Sequence, residues 1–231
     1  DGYAFARSLG HTITQLGPSL NSFVCKETWI HECSGISFPN ARIHLVDQYA
    51  IPGAGPVILT HFGISWPQVF VLSSHTAFEK ISENTPLHIR LQADIGMNYE
   101  AWDQFLIDQS KVSPKKNLSN ILASRLPRRL VEHLLWAYDL RADMNMSELS
   151  KIDRKQLAQL LGNGIPLTLN KRKPGDEFVT AWGVDTDEVN PETMESKIAP
   201  WLYMVGEVLN IDGVTGGYNL QSSWATGKIA G

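Results

Sequence analysis

The chain has 231 residues, of which 43% are hydrophobic and 19% are charged, and its formal net charge is −4. This length allows one or two domains with hydrophobic cores, and the composition is typical of globular proteins in solution. Because the charges nearly balance, they exclude a general attraction to nucleic acid or to anionic membrane surfaces, and neither is predicted as a partner.

The cysteine content and the apolar runs indicate the compartment. Cys25 and Cys33 are the only cysteines, and their spacing matches no zinc or redox motif. Two cysteines are too few for a disulfide scaffold, so a reducing cytoplasm is predicted. No apolar run approaches the roughly 20 residues that a membrane-spanning helix needs. The sequence therefore predicts neither a membrane span nor a metal site.

The two ends of the chain both carry α/β signals. A short helical segment, Tyr3–Leu9, opens the chain, and Gly10 ends it. No strand precedes this helix, and the final helix has no capping turn. We therefore expect a fragment of a longer protein, in which residues 1–16 and 176–231 are parts of one α/β domain.

The section over residues 17–97 is predicted to be rich in β-strand. Short apolar runs punctuated by proline and glycine predict strands at 22–25, 41–46, 57–60 and 87–91. One helix is expected to interrupt them near Ser65. Several short strands within this length predict a small barrel or a curled sheet.

The next section, 98–164, changes to helical periodicity and predicts a small helical unit with leucine and tryptophan in its core. Residues 165–175 predict a strand that returns to the β-rich section. The fold class that follows is α+β, with one α/β domain interrupted by a long insertion.

The closing block of the chain carries the strongest functional signal. An apolar run, Trp201–Val205, predicts a strand that leads into Gly206 and Glu207. A turn follows, and Asn219 is the predicted N-cap of a helix rich in small residues. The Glu207 carboxylate can accept hydrogen bonds from sugar hydroxyls, and the glycines allow a flat ligand to approach the backbone closely. The N–H groups at the start of the helix can donate hydrogen bonds to electron-rich oxygen atoms. On the residues alone, this block is either a cofactor site or a tight junction without a ligand.

The same block resembles a known family. Residues 206–221, GEVLNIDGVTGGYNLQ, closely resemble the C-terminal motif of bacterial NAD(FAD)-utilising dehydrogenase-like flavoproteins, the group of aminoacetone oxidase and bile-acid reductase. The resemblance extends through residues 184–197, 55–65 and 1–6, so it covers nearly the whole chain in the family's order. It implies an FAD domain of two dinucleotide-binding halves, interrupted by a barrel-like part and a helical part.

The resemblance also implies where the cofactor binds. The family's N-terminal Gly-rich fingerprint, which holds the FAD pyrophosphate, is absent from this chain. The missing N-terminal part is therefore an expected partner, and the isolated fragment is expected to hold FAD weakly or not at all. The residues that the resemblance assigns to FAD binding are Gly206, Glu207, Asp212, Gly213, Thr215, Gly216, Gly217, Tyr218, Asn219 and Leu220.

Three tryptophans depart from the family pattern, namely Trp66, Trp182 and Trp224. Trp66 and Trp182 stand where the family has glycine, and both are candidates for the substrate side. Three roles stay open for Trp182: it narrows the substrate space, stacks on a substrate, or fills a repacked core. His61 is the candidate for proton transfer, because it lies between a predicted strand end and a predicted helix start. The alternative is a histidine hydrogen-bonded within that junction.

These observations predict a fragment of an FAD-dependent oxidoreductase. The expected reaction is hydride transfer between the flavin and a small organic substrate or NAD(P)H. Two alternatives stay open: a flavin-binding or redox-sensing module without catalysis, and a truncated product that does not bind FAD.

Overall fold

The computed structural model describes residues 1–46 and 51–231 and has a mixed α+β architecture. Its strands are β1 (Gly17–Ser19), β2 (Phe23–Cys25), β3 (Ser37–Leu45), β4 (Gly55–Leu59), β5 (Gly63–Ser65), β6 (Leu87–Gln92), β7 (Ile165–Arg172) and β8 (Val179–Ala181). Its α-helices are α1 (Gly2–Ser8), α2 (Pro67–His75), α3 (Tyr99–Val112), α4 (Leu118–Leu122), α5 (Arg128–Ala137), α6 (Lys151–Asn163) and α7 (Tyr218–Ala230).

The chain folds into two compact units. Unit 1 comprises residues 1–22, 69–80 and 173–231, and unit 2 comprises residues 23–68 and 81–172. The first unit therefore contains both ends of the chain and most of α2. The second contains the strands β2 to β7 and the helices α3 to α6.

Six strands of unit 2 close into a barrel in the order β2-β5-β4-β3-β6-β7, and every neighbouring pair is antiparallel. Along β6, Leu87, Ile89 and Leu91 are buried whereas His88 and Arg90 are exposed. This alternation is the period of two that a half-buried strand requires. The predicted barrel is confirmed, and all four strands predicted for this section belong to it.

The helices of unit 2 begin at recognisable caps. Asn98 accepts a hydrogen bond from the N–H of Ala101 at 2.9 Å before α3, and Ser150 accepts one from the N–H of Asp153 at 3.1 Å before α6. Trp102 on α3 is completely buried. The helical section therefore forms as its leucine and tryptophan periodicity predicts, with that stripe as core.

Unit 1 is built around segments from both ends of the chain. Strand β1 pairs with β8 in antiparallel orientation. The buried apolar cluster of this unit consists of Ala6, Val184, Val189, Met194, Met204 and Leu209. Because α1 contributes Ala6 and the other members follow β8, the opening helix and the C-terminal segment share one core.

The strand predicted at 201–205 is wrong. Trp201 has a φ of 66° and is 86% exposed, and its N–H donates to Glu195 Oε1 at 2.9 Å. Tyr203 pairs with Glu195 through an isolated bridge, and Met204 is buried in the core. The apolar run therefore reflects core contacts of Leu202, Met204 and Val205 together with local loop bonds, since a β-strand also needs a continuous neighbouring strand. A 3₁₀ turn, Gly206–Val208, follows.

Candidate functional site

Unit 1 contains a cavity of about 420 Å³ at the start of α7. Its apolar lining consists of Leu20, Phe70, Phe178, Val179, Val214 and Leu220. Its polar and glycine lining consists of Glu207, Thr215, Gly216, Gly217, Asn219 and Ser223. A concave, mainly apolar space with a few polar groups at its rim is the usual form of a cofactor or small-molecule site.

A glycine turn forms one rim of the cavity. Gly216 and Gly217 have φ angles of 119° and 88°, a conformation that residues with a Cβ rarely adopt. Gly217 is the N-cap of α7, and the first helical bond runs from the Gln221 N–H to the Gly217 carbonyl at 2.9 Å. Asn219 and Leu220, whose N–H groups precede that bond, belong to the cavity lining at the positive end of the helix dipole.

The predicted N-cap, Asn219, is wrong, because Asn219 is the second residue of α7. Its side chain instead closes the preceding turn. The Asn219 Oδ1 atom accepts from the Gly213 N–H at 2.7 Å, and Nδ2 donates to the Gly213 carbonyl at 2.9 Å. A Cβ at position 213 would lie 2.8 Å from the Tyr218 Cβ. The turn therefore requires glycine at 213, and the two bonds fix the rim before any ligand arrives.

Asp212 supports this turn from the protein side, since it does not belong to the lining. Burial raises the pKa of its carboxyl, and the charge of Glu207 raises it further, against the opposing hydrogen-bonding groups of Ser19, Ser74 and Asn219. Within residues 1–46 and 51–231, no partner meets hydrogen-bond geometry with Asp212 Oδ1 or Ser19 Oγ. The neutral form of Asp212 is therefore favoured more than in an exposed aspartate.

Glu207 lies at the cavity on a turn that is packed against α7. The Gly206 N–H donates to Thr226 Oγ1 at 3.0 Å, and a Cβ on Gly206 would lie 3.3 Å from Ser223 Oγ. The small residues of α7 thus let this turn approach the helix closely. Glu207 Oε1 accepts from the Thr180 N–H at 3.0 Å, which fixes an exposed carboxylate at the cavity wall.

Two aromatic rings form the apolar wall. Phe70 of α2 and Phe178, just before β8, have ring centroids 5.3 Å apart with 55° between their planes. Phe178 is 69% exposed although it lies beside a cavity. An exposed ring at a cavity provides a surface on which a flat ligand can pack.

The cavity brings together six of the ten residues predicted for the cofactor: Glu207, Thr215, Gly216, Gly217, Asn219 and Leu220. The other four lie outside its lining: Gly206, Asp212, Gly213 and Tyr218. The lining residues that the sequence did not indicate are Leu20, Phe70, Phe178, Val179, Val214 and Ser223. Val179 lies in β8 and Phe178 directly precedes it, but the sequence contains no signal for the pairing of β8 with β1. Whether the ten residues bind a cofactor stays a prediction.

Trp182 lies in unit 1 at the end of β8, with a φ of 69°. Its ring lies over Phe78, with centroids 4.0 Å apart and 35° between the planes, and the residue is 40% exposed. At the next position a Cβ would collide with the carbonyl oxygen of Val208, so Gly183 is required there. The backbone of Trp182 is therefore left-handed. Its ring contacts Phe78, and the next position in the chain requires glycine.

His61 and Trp66 both lie in unit 2. His61 is exposed in the turn between β4 and β5, with its ring edge-on to Phe62 at a centroid distance of 5.1 Å. Trp66 precedes α2 with a φ of 89° and is 41% exposed. The position of His61 in a hairpin differs from the expected strand-to-helix junction, because β5 follows the turn. The proposed roles of both residues stay predictions.

Unit 1 contains a buried polar group around His11 that no sequence pattern indicates. His11 is 3% exposed, and its Nδ1 lies 2.9 Å from Glu188 Oε2 and its Nε2 lies 2.8 Å from Ser196 Oγ. Ser196 Oγ also accepts two backbone N–H groups, at 3.0 and 2.8 Å, so its own proton goes to His11. Hydrogen bonds from Thr12 and His11 lower the pKa of Glu188. Because Ser196 is 7% exposed, this serine–histidine–glutamate arrangement is a structural clamp and not a nucleophile site.

Residues 1–46 and 51–231 also bear on metal binding and on membrane insertion. No cluster of three or more histidine, cysteine, aspartate or glutamate residues there has the arrangement of a metal site. In the same part of the chain, no helix combines the length and apolar character needed to cross a membrane.

Comparison with known proteins places these features in context. The model of the family described as HI0933-like protein Rossmann domain matches residues 1–231. A 3-dehydro-bile acid delta(4,6)-reductase of Clostridium scindens is 31% identical over 233 aligned residues, which cover 100% of this chain and 56% of the reductase.

Two relatives carry a different name. The ribosomal RNA dihydrouridine synthase of Escherichia coli is 28% identical, over 97% of this chain and 54% of the synthase. The ribosomal RNA dihydrouridine synthase of Haemophilus influenzae is 31% identical, over 97% of this chain and 53% of the synthase. The chain thus spans little more than half the length of the curated relatives that it matches.

Proposed function

The chain belongs to the HI0933-like Rossmann-domain family, and from this membership we propose that it is the part of an FAD-dependent oxidoreductase that holds the flavin ring. The observation that carries the proposal is the cavity at the start of α7, because its rim consists of glycine backbone and helix amides. The reductase among the relatives supports the reaction class.

The residues around the cavity suit FAD. The amides after Gly217 would face the pyrimidine edge of the ring, where negative charge collects on reduction, and the helix dipole would stabilise that charge. The Glu207 carboxylate would accept hydrogen bonds from the ribityl or ribose hydroxyls. Phe70 and Phe178 would cover the apolar part of the ring. When bound, the flavin itself supplies hydride acceptance and donation.

The residues proposed to face the substrate are side chains that do not belong to the glycine rim. Hydride would pass between the flavin and a small organic substrate or NAD(P)H. Trp182 is proposed to limit the substrate space, because it lies three residues from the lining residue Val179 and is 40% exposed. Trp66 and His61 are weaker proposals, as each rests on its sequence position alone.

A second candidate substrate is ribosomal RNA. The two dihydrouridine synthases among the relatives favour it, since their name specifies this RNA. The near-balanced charge of the chain argues against a large phosphate-binding surface within it, so RNA affinity would depend on few contacts or on further residues. Both candidates use the same flavin site.

A further N-terminal segment is the proposed partner of unit 1. Phe5 and Trp224 are 66% and 71% exposed, and Leu220 is 65% exposed. Leu220 and Trp224 are four residues apart on α7 and therefore share one face of that helix, and large exposed apolar residues on one face mark a surface that another segment can cover. We propose that the segment carries the Gly-rich strand, turn and helix that hold the pyrophosphate of a dinucleotide.

Titration with FAD tests the proposal in two steps. The 231-residue chain alone is expected to bind FAD weakly, and the polypeptide that includes the N-terminal segment is expected to purify with flavin absorption. In that polypeptide Glu207→Ala should lower FAD affinity, whereas Glu192→Ala, an exposed glutamate elsewhere in unit 1, should not.

Reduction by NADH or NADPH separates the reaction from its alternatives. Rapid loss of the oxidised flavin absorption supports an oxidoreductase. Bound flavin that neither nucleotide reduces would support a binding or sensing module. A long polypeptide that refuses added FAD would refute the flavin site itself.

A further inference from the structure

A second cavity lies in unit 2, in a groove between the 3₁₀ turn Thr28–His31 and α5, and has a volume of about 520 Å³. Its lining residues are Thr28, Trp29, Glu32, Glu132, His133 and Trp136. Two indole rings, one imidazole ring and two carboxylates therefore meet around one space. We infer that this cavity binds a nucleobase that carries an exocyclic amino group.

The aromatic lining provides surfaces for stacking. Trp136 is 78% exposed although it borders the cavity, so its ring face is accessible to a ligand. Trp29 is partly buried, and its ring stacks on His133 with centroids 6.2 Å apart and 27° between the planes. The His133 contact holds the Trp29 ring in place. Stacking on such rings tolerates any flat base.

The carboxylates provide the preference among bases. Glu32 Oε2 lies 3.0 Å from His133 Nε2, and 74% of the Glu32 side chain is exposed. An ionised carboxylate accepts several hydrogen bonds, so Glu32 can also accept from an amino group at the edge of a stacked base. Adenine, cytosine and guanine have such a group, and uracil does not.

The local charge favours a neutral base over an organic cation. Arg128 Nε pairs with Glu132 Oε1 at 3.0 Å. The Arg129 guanidinium donates to the carbonyls of Glu32 and Ser34 at 3.1 and 3.3 Å. Two guanidinium groups thus balance the two carboxylates. An aromatic cage for an ammonium ion would need excess negative charge or unpaired ring faces directed at the cation.

The experiment follows the tryptophan indole signals of the ¹⁵N-labelled 231-residue chain by NMR, with Trp29→Phe and Trp136→Phe for assignment. AMP, CMP and UMP are the probes. The signals of Trp29 and Trp136 should shift and saturate with AMP and CMP, and UMP should bind at least about fivefold more weakly. Trp136→Ala should weaken AMP binding at least about fivefold.

The control is Trp201→Ala, which removes an 86% exposed tryptophan from unit 1 and should leave AMP binding unchanged. Glu32→Gln keeps the stacking surface but should reduce the preference for AMP over UMP. Equal binding of UMP and AMP would overturn the inference. So would unchanged binding in a folded Trp136→Ala variant, or shifts caused by tetramethylammonium but not by nucleotides.

Two further probes distinguish the sources of the base. Single-stranded oligoadenylate that binds more tightly than AMP, with an affinity that falls steeply with salt, would identify RNA as the source. NADH that binds more tightly than AMP, while the oligonucleotide does not, would identify a dinucleotide. Either result supports a nucleobase site, and failure of AMP, CMP, the oligonucleotide and NADH to shift these signals refutes it. The flavin proposal stands or fails separately, because it concerns unit 1.

Discussion

Replacing Trp182 with glycine and, separately, with alanine tests whether its left-handed backbone stores strain. Since Trp182 is 40% exposed, its ring covers on the order of 100 Å², worth about 2.5 kcal/mol at ~25 cal/mol per Å². The ring pair with Phe78 adds about 1 kcal/mol. The lost ring contacts therefore cost each variant about 3.5 kcal/mol of unfolding free energy, before any effect of the backbone conformation. Alanine keeps the cost of its left-handed φ, so Trp182→Gly should be about 1 kcal/mol more stable than Trp182→Ala.

Urea unfolding followed by circular dichroism measures this difference, with a common m-value for the variants. Trp224 provides the matched control, because it is 71% exposed inside α7. There the order should reverse, with alanine about 1 kcal/mol more stable than glycine. If alanine is as stable as glycine at position 182, or more stable, then the backbone strain inferred from its φ is absent.

Three further outcomes are expected. His11→Ala should lower the unfolding free energy by about 2 kcal/mol, because it leaves buried partners unpaired, whereas replacing the exposed His31 should change it by less than about 0.5 kcal/mol. Burial raises the pKa of Asp212, so its stabilising contribution is full below the ordinary aspartate pKa and is lost as the pH rises through the raised value. Asp212→Asn should therefore reduce the pH dependence of the unfolding free energy, measured by urea titrations at several pH values. An unchanged pH dependence would contradict this prediction. Burial also raises the thiol pKa of Cys25 and Cys33. Both thiols should therefore react with a thiol reagent only slowly while the chain is folded. Fast labelling of the native chain would contradict this prediction.

The sequence predicted those parts of the fold that depend on local pattern. Alternation in β6 and helical periodicity around Trp102 each arise from neighbouring residues, so both the barrel strands and the helical section were predictable. The glycine turn before α7 was predictable for the same reason, since Gly216 and Gly217 indicate a conformation that other residues avoid.

The predictions that were wrong share one physical cause. The residues form bonds and contacts with partners that their local sequence pattern does not specify. Asn219 has the side chain of an N-cap, but its amide bonds both backbone groups of Gly213, which leaves the cap to Gly217. The run at 201–205 has the apolar content of a strand, but Trp201 bonds the Glu195 side chain within a loop. Leu20 and Phe70 reach the cavity from segments about 50 residues apart, and no local pattern encodes that meeting.

The two sides of the unit 1 cavity are built differently, and this difference bears on specificity. The rim is backbone held by internal bonds: Asn219 fixes Gly213, and Thr226 fixes Gly206. Because the ligand would meet backbone at this rim, only substitutions at the glycines or at the side chains that hold them, Asn219 and Thr226, would change it, so it suits a ligand common to many relatives. The apolar wall consists of side chains such as Phe178, whose exposed ring can be exchanged without disturbing a hydrogen bond. If the proposed flavin site is shared, differences in substrate between a bile-acid reductase and the ribosomal RNA dihydrouridine synthases are expected to arise from this wall and its neighbours rather than from the glycine rim.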